Sequence, residues 1–131
     1  MRNDDINSGS YHIIIKLEED TRISIGALGD ILFRQGYYVY TGSAMKNLQQ
    51  RTERHLNKTK KLKWHIDHFL NNENVRILDI IKNKSLIKEE CDRNQNIMGL
   101  PGAEIPVVGF GSSDCRECPS HLVYFKTKPE I

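Results

Sequence analysis

The sequence predicts an α+β domain, a small and mainly antiparallel sheet flanked by helices. Strand-like runs rich in β-branched and aromatic residues come first in the chain. Helical segments follow, mixed with single strands rather than in strict strand–helix alternation. The 131 residues, 38% apolar and 27% charged, fit one domain with one hydrophobic core.

Residues 1–8 read as a flexible polar tail and 9–131 as the domain. The tail lacks the basic start and apolar stretch of a signal peptide. No apolar run approaches a membrane span, so the expected location is the cytoplasm. Tyr11 to Leu17 is a β-branched and continuous run, a strand buried on at least one face. Ile23 and Ile25 alternate with polar residues as a short strand, and Gly26, Gly29 and Asp30 mark turns. Gly36 to Gly42 is an aromatic strand between two glycines. Residues 44–58 and 61–71 read as helices, and Val75 to Ile81 as a strand. Ser85 is placed to cap a third helix. Pro101, Gly102, Pro106, Gly109 and Gly111 make a long loop before a last strand, His121 to Phe125.

A net charge of +2 does not imply nucleic acid, but its distribution is uneven. Lys46, Arg51, Arg54, Lys58, Lys60, Lys61 and Lys63 are opposed only by Glu53. Such a block either neutralises phosphates or forms a solvated helix face.

At 100° per residue the first helix puts Ala44, Met45, Leu48, Thr52 and Leu56 on one arc. His55 falls inside that arc and Arg51 at its rim, one turn away. The pair either holds a phosphate or is a snorkelling arginine beside a hydrogen-bonded core histidine. On the third helix Leu86, Ile87, Cys91, Ile97 and Met98 form the apolar arc. Glu90 lies within it, and Glu89 points away. An inward carboxylate is costly unless it is paired or binds a cation, which leaves a salt bridge or a hard metal ion for Glu90.

These residues form an ordered series. Gly9-Ser10-Tyr11 opens one strand, Tyr40-Thr41-Gly42 ends another, and a helix bearing Arg51 follows. Further along come Arg54-His55-Leu56, Trp64 to Asp67, Glu90-Cys91, Gly109 to Cys115, and Ser120-His121-Leu122. Over residues 9–125 the series resembles the GIY-YIG nuclease superfamily, and more closely its Uri-type branch. The resemblance implies a three-stranded antiparallel core, with room for extra strands. It implies Tyr11 and Tyr40 as site tyrosines, Arg51 as the phosphate-binding arginine and Glu90 as the metal ligand. His55 matches a position filled by His or Tyr in some members. The chain departs from the pattern at Ser10, at Thr41, at Ser43 where several relatives have lysine, and at Asp92-Arg93-Asn94 after the Glu-Cys pair. Any role of that lysine is either absent here or met by Lys46.

The activity implied is metal-dependent endonuclease cleavage, on DNA in preference to RNA. Tyr11 or Tyr40 activates a water, with His55 as the competing base. Neighbouring Arg51, His55 or a metal-held water is expected to favour the phenolate. Arg51 neutralises phosphoryl charge, and Glu90 holds one Mg²⁺ or Mn²⁺. Lys46, Arg54, Lys58, Lys60, Lys61 and Lys63 position the backbone. The alternative is a non-catalytic nucleic-acid-binding module on the same fold.

Cys115-x-x-Cys118-x-x-His121 forms a compact group of zinc-type ligands near the end of the chain. A zinc-stabilised interaction domain is therefore a third reading. Three cysteines, an odd number, do not imply a disulfide framework, and Cys91 reads as a small apolar residue in the core.

Overall fold

The computed structural model describes residues 6–57, 60–111 and 115–131. Nine regular elements follow in order: β1 (Gly9–Leu17), β2 (Thr21–Ser24), β3 (Asp30–Phe33), β4 (Gly36–Ala44), α1 (Leu48–Leu56), α2 (His65–Leu70), β5 (Val75–Lys84), α3 (Glu90–Met98) and β6 (Leu122–Phe125). The architecture is α+β. A four-stranded sheet runs β5-β1-β4-β6 with every neighbouring pair antiparallel, and β2 and β3 form a separate hairpin. None of the described helices is long and apolar enough to cross a membrane.

Side-chain alternation along the central strands makes two cores. Tyr11, Ile13, Ile15 and Leu17 of β1 face one side, with Tyr38 of β4 and Leu122 and Tyr124 of β6. Leu48 of α1 and Ile66, Phe69 and Leu70 of α2 pack onto them. Ile14, Val39, Val123 and Phe125 face the other side and meet Ile97 of α3. The consecutive Ile13, Ile14 and Ile15 reflect burial of β1 on both faces.

The boundaries depart from the sequence expectation where a distant segment supplies hydrogen bonds. β4 runs on to Ala44 because Gly9 and Ser10 pair with Ala44 and Ser43. β5 runs to Lys84 because the same end of β1 pairs with residues 82–84. The first helix therefore starts at Leu48, not 44, after Asn47 in a left-handed turn with φ 59°. Asn47 provides no side-chain cap. Asn7 caps the helix from across the fold: its backbone oxygen accepts from Leu48 N–H (3.1 Å) and its Oδ1 from Gln49 N–H (2.9 Å). Ser8 is bonded to Ser85 through both backbone and hydroxyl. Asn7 and Ser8 are thus part of the domain and not of a loose tail, while residues 1–5 lie outside the described residues. Asp30, read as a turn residue, begins β3 by pairing with Ser24.

The second helix is shorter than expected, starting at His65 and leaving Leu62 exposed. Asp67 explains the start. Its fully buried carboxylate accepts from the backbone N–H of Lys63 (2.8 Å) and Trp64 (2.9 Å). It also takes both arms of Arg54, at 2.9 and 3.0 Å. Breaking a buried pair strands its partners, so Asp67→Ala is expected to lower unfolding free energy by about 3 kcal/mol. Urea denaturation measures this. A loss within the ~1 kcal/mol range of surface pairs would contradict the role.

Candidate functional site

Both glycines of the paired tripeptides have a steric reason. Gly9 has φ +146°, and a Cβ there would collide with the backbone carbonyl of Asn83. Gly42 lies opposite Tyr11 in the β1–β4 register, and a Cβ there would stand 2.6 Å from the phenol Cζ and Oη. The Tyr11 ring therefore lies across Gly42, which aims its hydroxyl at α1. There Tyr11 Oη meets His55 Nε2 at 2.7 Å.

The ends of β1 and β4 open into a cleft of about 480 Å³. Tyr11, Tyr40, Arg51, Glu90, Lys63 and Lys88 all line it. His55 sits behind Tyr11, only 1% exposed. Arg51 donates to the backbone oxygen of Ser43 (3.1 Å) and stacks on Trp64, with its guanidinium carbon 4.5 Å from the ring centre. Arg54 and Lys63 stack on the same indole. The tryptophan thus holds Arg51 at the cleft wall by cation–π attraction.

Glu90 arrives from the other face of the sheet. The third helix does not begin after Ser85 as expected. Ser85 Oγ accepts from Ile87 N–H, which closes a turn, and Leu86 and Ile87 are exposed in that loop. The helix starts at Glu90, so this carboxylate projects from its first turn to the cleft and not from mid-helix into the core. Glu89 pairs with Arg93 one turn on. Glu90 Oε1 accepts from Ser43 Oγ (2.6 Å), and Oε2 lies 2.7 Å from His121 Nδ1, off the ring N–H axis.

Burial sets the tyrosine electrostatics. It raises the Tyr11 hydroxyl above the ordinary tyrosine range, and Arg51 only partly opposes it. It raises Tyr40 too, reinforced by Tyr11 and Glu90. The expectation that Arg51 favours a phenolate is thus reversed, because desolvation penalises the anion more than Arg51 stabilises it. Burial also lowers His55 to about 4, against an opposing pull from Asp67. The imidazole is therefore neutral at pH 7. Burial alone would raise Glu90, but contacts from His121 and Ser43 outweigh it and hold the carboxyl below its usual range. Glu90 is an ionised oxygen donor lining the cleft, which suits a hard divalent cation that keeps most of its waters.

A family model described as a domain of unknown function, DUF123, matches residues 10–131. The chain belongs to the DUF123 family. No curated protein and no solved structure matches it.

The basic block of this DUF123 chain divides by use. Arg54 is not free for a phosphate, since its fork is committed to Asp67 and to the backbone oxygen of Lys61. Lys60 closes the end of α1, donating to the backbone oxygens of Asn57 (2.7 Å) and His55 (3.4 Å). Lys46, Lys61 and Lys63 are exposed, and of these Lys63 lines the cleft. Lys58 lies outside the described residues, as do Ser112, Ser113 and Asp114 of the Gly109–Cys115 stretch. Lys46 does not line the cleft, so the lysines beside Ser43's site are Lys63 and Lys88. Lys88 carried no sequence signal, because it stands in the loop where the reading expected helix. His65 also lines the cleft, and its Nδ1 accepts from Gly111 N–H at 3.0 Å.

Near the end of the DUF123 domain, ligand atoms of Cys115, Cys118 and His121 lie within 4.8 Å of one another, and all three residues are buried. The group has the spacing to hold a metal ion. Cys91 corrects the sequence reading: it is joined to Cys115 by a disulfide rather than packed as a free apolar side chain. The two are 24 residues apart, and only the docking of α3 beside the segment before β6 brings them together. Cys118 is the free cysteine among the described residues.

Proposed function

We propose that this protein is a divalent-metal-dependent endonuclease of the Uri-type GIY-YIG branch, hydrolysing phosphodiester bonds in DNA. What supports this reading above all is one cleft. Tyr11, Tyr40, Arg51 and Glu90, from four separate elements, all line it, with His55 in hydrogen-bond contact behind Tyr11.

A backbone phosphate enters between Arg51, Lys63 and Lys88. Arg51 neutralises charge growing on the phosphoryl oxygens, held in place by Trp64 and Ser43. The Tyr11 hydroxyl accepts a proton from the attacking water while passing its own to His55 Nε2. A raised tyrosine pKa suits this relay, since the phenol never carries a full charge. A neutral His55 suits it as well, since Nε2 accepts when the ring proton is on Nδ1. Tyr40 stands on the same wall and orients the water or the phosphate. Glu90 would hold one Mg²⁺ or Mn²⁺ with the lone pairs not used by Ser43 and His121. When bound, that ion supplies Lewis-acid stabilisation of the leaving oxygen. The exposed Lys46 and Lys61 add backbone attraction without reading sequence.

The test is cleavage of labelled duplex and branched DNA with Mg²⁺ or Mn²⁺, comparing wild type with Glu90→Gln and Arg51→Ala. The expected result is cutting by wild type and loss of about 10²–10³-fold in each variant, with folding and DNA binding retained. Cutting that survives both substitutions would refute the site. No cutting by wild type, with salt-sensitive binding retained, would leave a binding module on the same fold.

A further inference from the structure

Next to Glu90, three cysteines and a histidine converge. Cys91 is the second residue of α3, Cys115 and Cys118 lie in the turn before β6, and His121 directly precedes that strand. The Cys118 N–H bonds back to Cys115 O (3.3 Å), a turn that brings both side chains to one place. Each of Cys115, Cys118 and His121 offers a ligand atom within 4.8 Å of the others. Cys91 Sγ is bonded to Cys115 Sγ and so reaches the same point.

The histidine gives an independent pointer to a ligand. His121 is fully buried, and its Nδ1 faces Glu90 Oε2 at 2.7 Å. Its Nε2 has no hydrogen-bond partner among the described residues. A buried imidazole nitrogen without a partner is costly. The Cys118 thiol is likewise buried, and it makes a 3.6 Å contact to the Cys91 carbonyl.

We propose that Cys91, Cys115, Cys118 and His121 form a structural zinc site, with His121 Nε2 as the nitrogen ligand. Three thiolates and one imidazole are a standard tetrahedral zinc set, and their softness excludes Mg²⁺. The four ligands leave no open coordination position, so the ion fastens the start of α3 to the start of β6 and takes no part in hydrolysis. Zinc on Nε2 leaves the proton on Nδ1, which faces Glu90 Oε2 at 2.7 Å, so a small rotation of the ring would let the site orient the carboxylate at the cleft. This is the arrangement in which a metal-bound histidine is fixed by a carboxylate on its other nitrogen.

The Cys91–Cys115 disulfide is the competing oxidised state. A dithiol reductant opens it by thiol–disulfide exchange: the S–S bond breaks, two protein thiols form, and the reductant leaves as its own disulfide. Zinc binding then displaces one proton from each of the three thiols.

The experiment is metal content by native mass spectrometry and elemental analysis on the full chain, purified with a dithiol reductant. One zinc per chain is expected, released in step with mercurial modification of the thiols. Cobalt(II) in its place should give a thiolate charge-transfer band. Cys118→Ser and His121→Asn should lose the zinc. Should either variant fail to fold, the mercurial and cobalt measurements on wild type still decide. A reduced wild type that binds neither zinc nor cobalt overturns the proposal, as does zinc that both folded variants retain. Metal content is read without any cleavage assay, so failure of the nuclease reading leaves this result standing.

Discussion

Replacing Tyr11 with phenylalanine is expected to slow DNA cleavage by about 10²–10⁴-fold, the range of a lost proton-transfer group. The ring still fits across Gly42, so packing survives, and only the hydroxyl that contacts His55 at 2.7 Å is removed. His55→Ala should cost a similar factor, because Tyr11 then has no acceptor for its proton. Since the two act as one relay, the double variant should be no slower than the worse single one. Single-turnover rates on one DNA substrate measure all three. Multiplying losses would mean that the two residues act separately and would refute the relay. The pH profile adds a second readout. His55 must be neutral to accept, and burial has lowered it to about 4. The acid limb of wild-type cleavage should therefore lie near pH 4, well below the ~6.5 of an exposed histidine.

Acid should also destabilise the fold in a defined window. His12 and His55 are both buried and both lowered to about 4 by that burial. His12 faces Thr41 across β4 and feels Arg93 from α3. His55 feels Asp67, Lys60, Arg54 and Arg51. Between pH 6.5 and 4 the unfolded chain binds protons at these two positions and the folded chain does not. Stability is therefore fully present above pH 6.5 and falls as pH drops toward 4, by at most about 3 kcal/mol per histidine. Asp67 adds its loss at lower pH, since Arg54 and two backbone N–H groups outweigh its burial and hold its carboxyl below the usual range. Thermal melts between pH 7 and 4 measure this. His12→Asn should flatten about half of the slope, and a melting temperature constant over this range would show that neither histidine is held neutral.

Much of the site was legible because its signals are local. Tyr11 and Tyr40 stand in glycine-bearing tripeptides and Arg51 on the helix that follows, an ordered series that the family resemblance made readable. The steric demand behind Gly42 is met by one ring across one strand pair. His55 was legible as a polar residue on an apolar helical arc, and its burial follows directly. The third helix was misread because Leu86 and Ile87 continue its apolar period. Periodicity does not reveal that Ser85 closes a turn there, and so Lys88 was missed.

By itself, the sequence determined the fold class and the helical arc that sets His55 beside Arg51, since these depend on residue pattern and helical period, while the cleft's tyrosines were implied by the family resemblance. Tertiary structure decided whatever depends on partners distant in the chain. Asn7 caps a helix that starts 41 residues later, and Arg54 is withdrawn from the phosphate-binding set by Asp67. Cys91 meets Cys115, and Glu90 meets Ser43 and His121, only when α3 docks against the ends of β4 and β6. The physical reason is that side-chain charge and bonding are set by what lies within a few ångströms, and a linear pattern carries no distances between segments that only folding brings together.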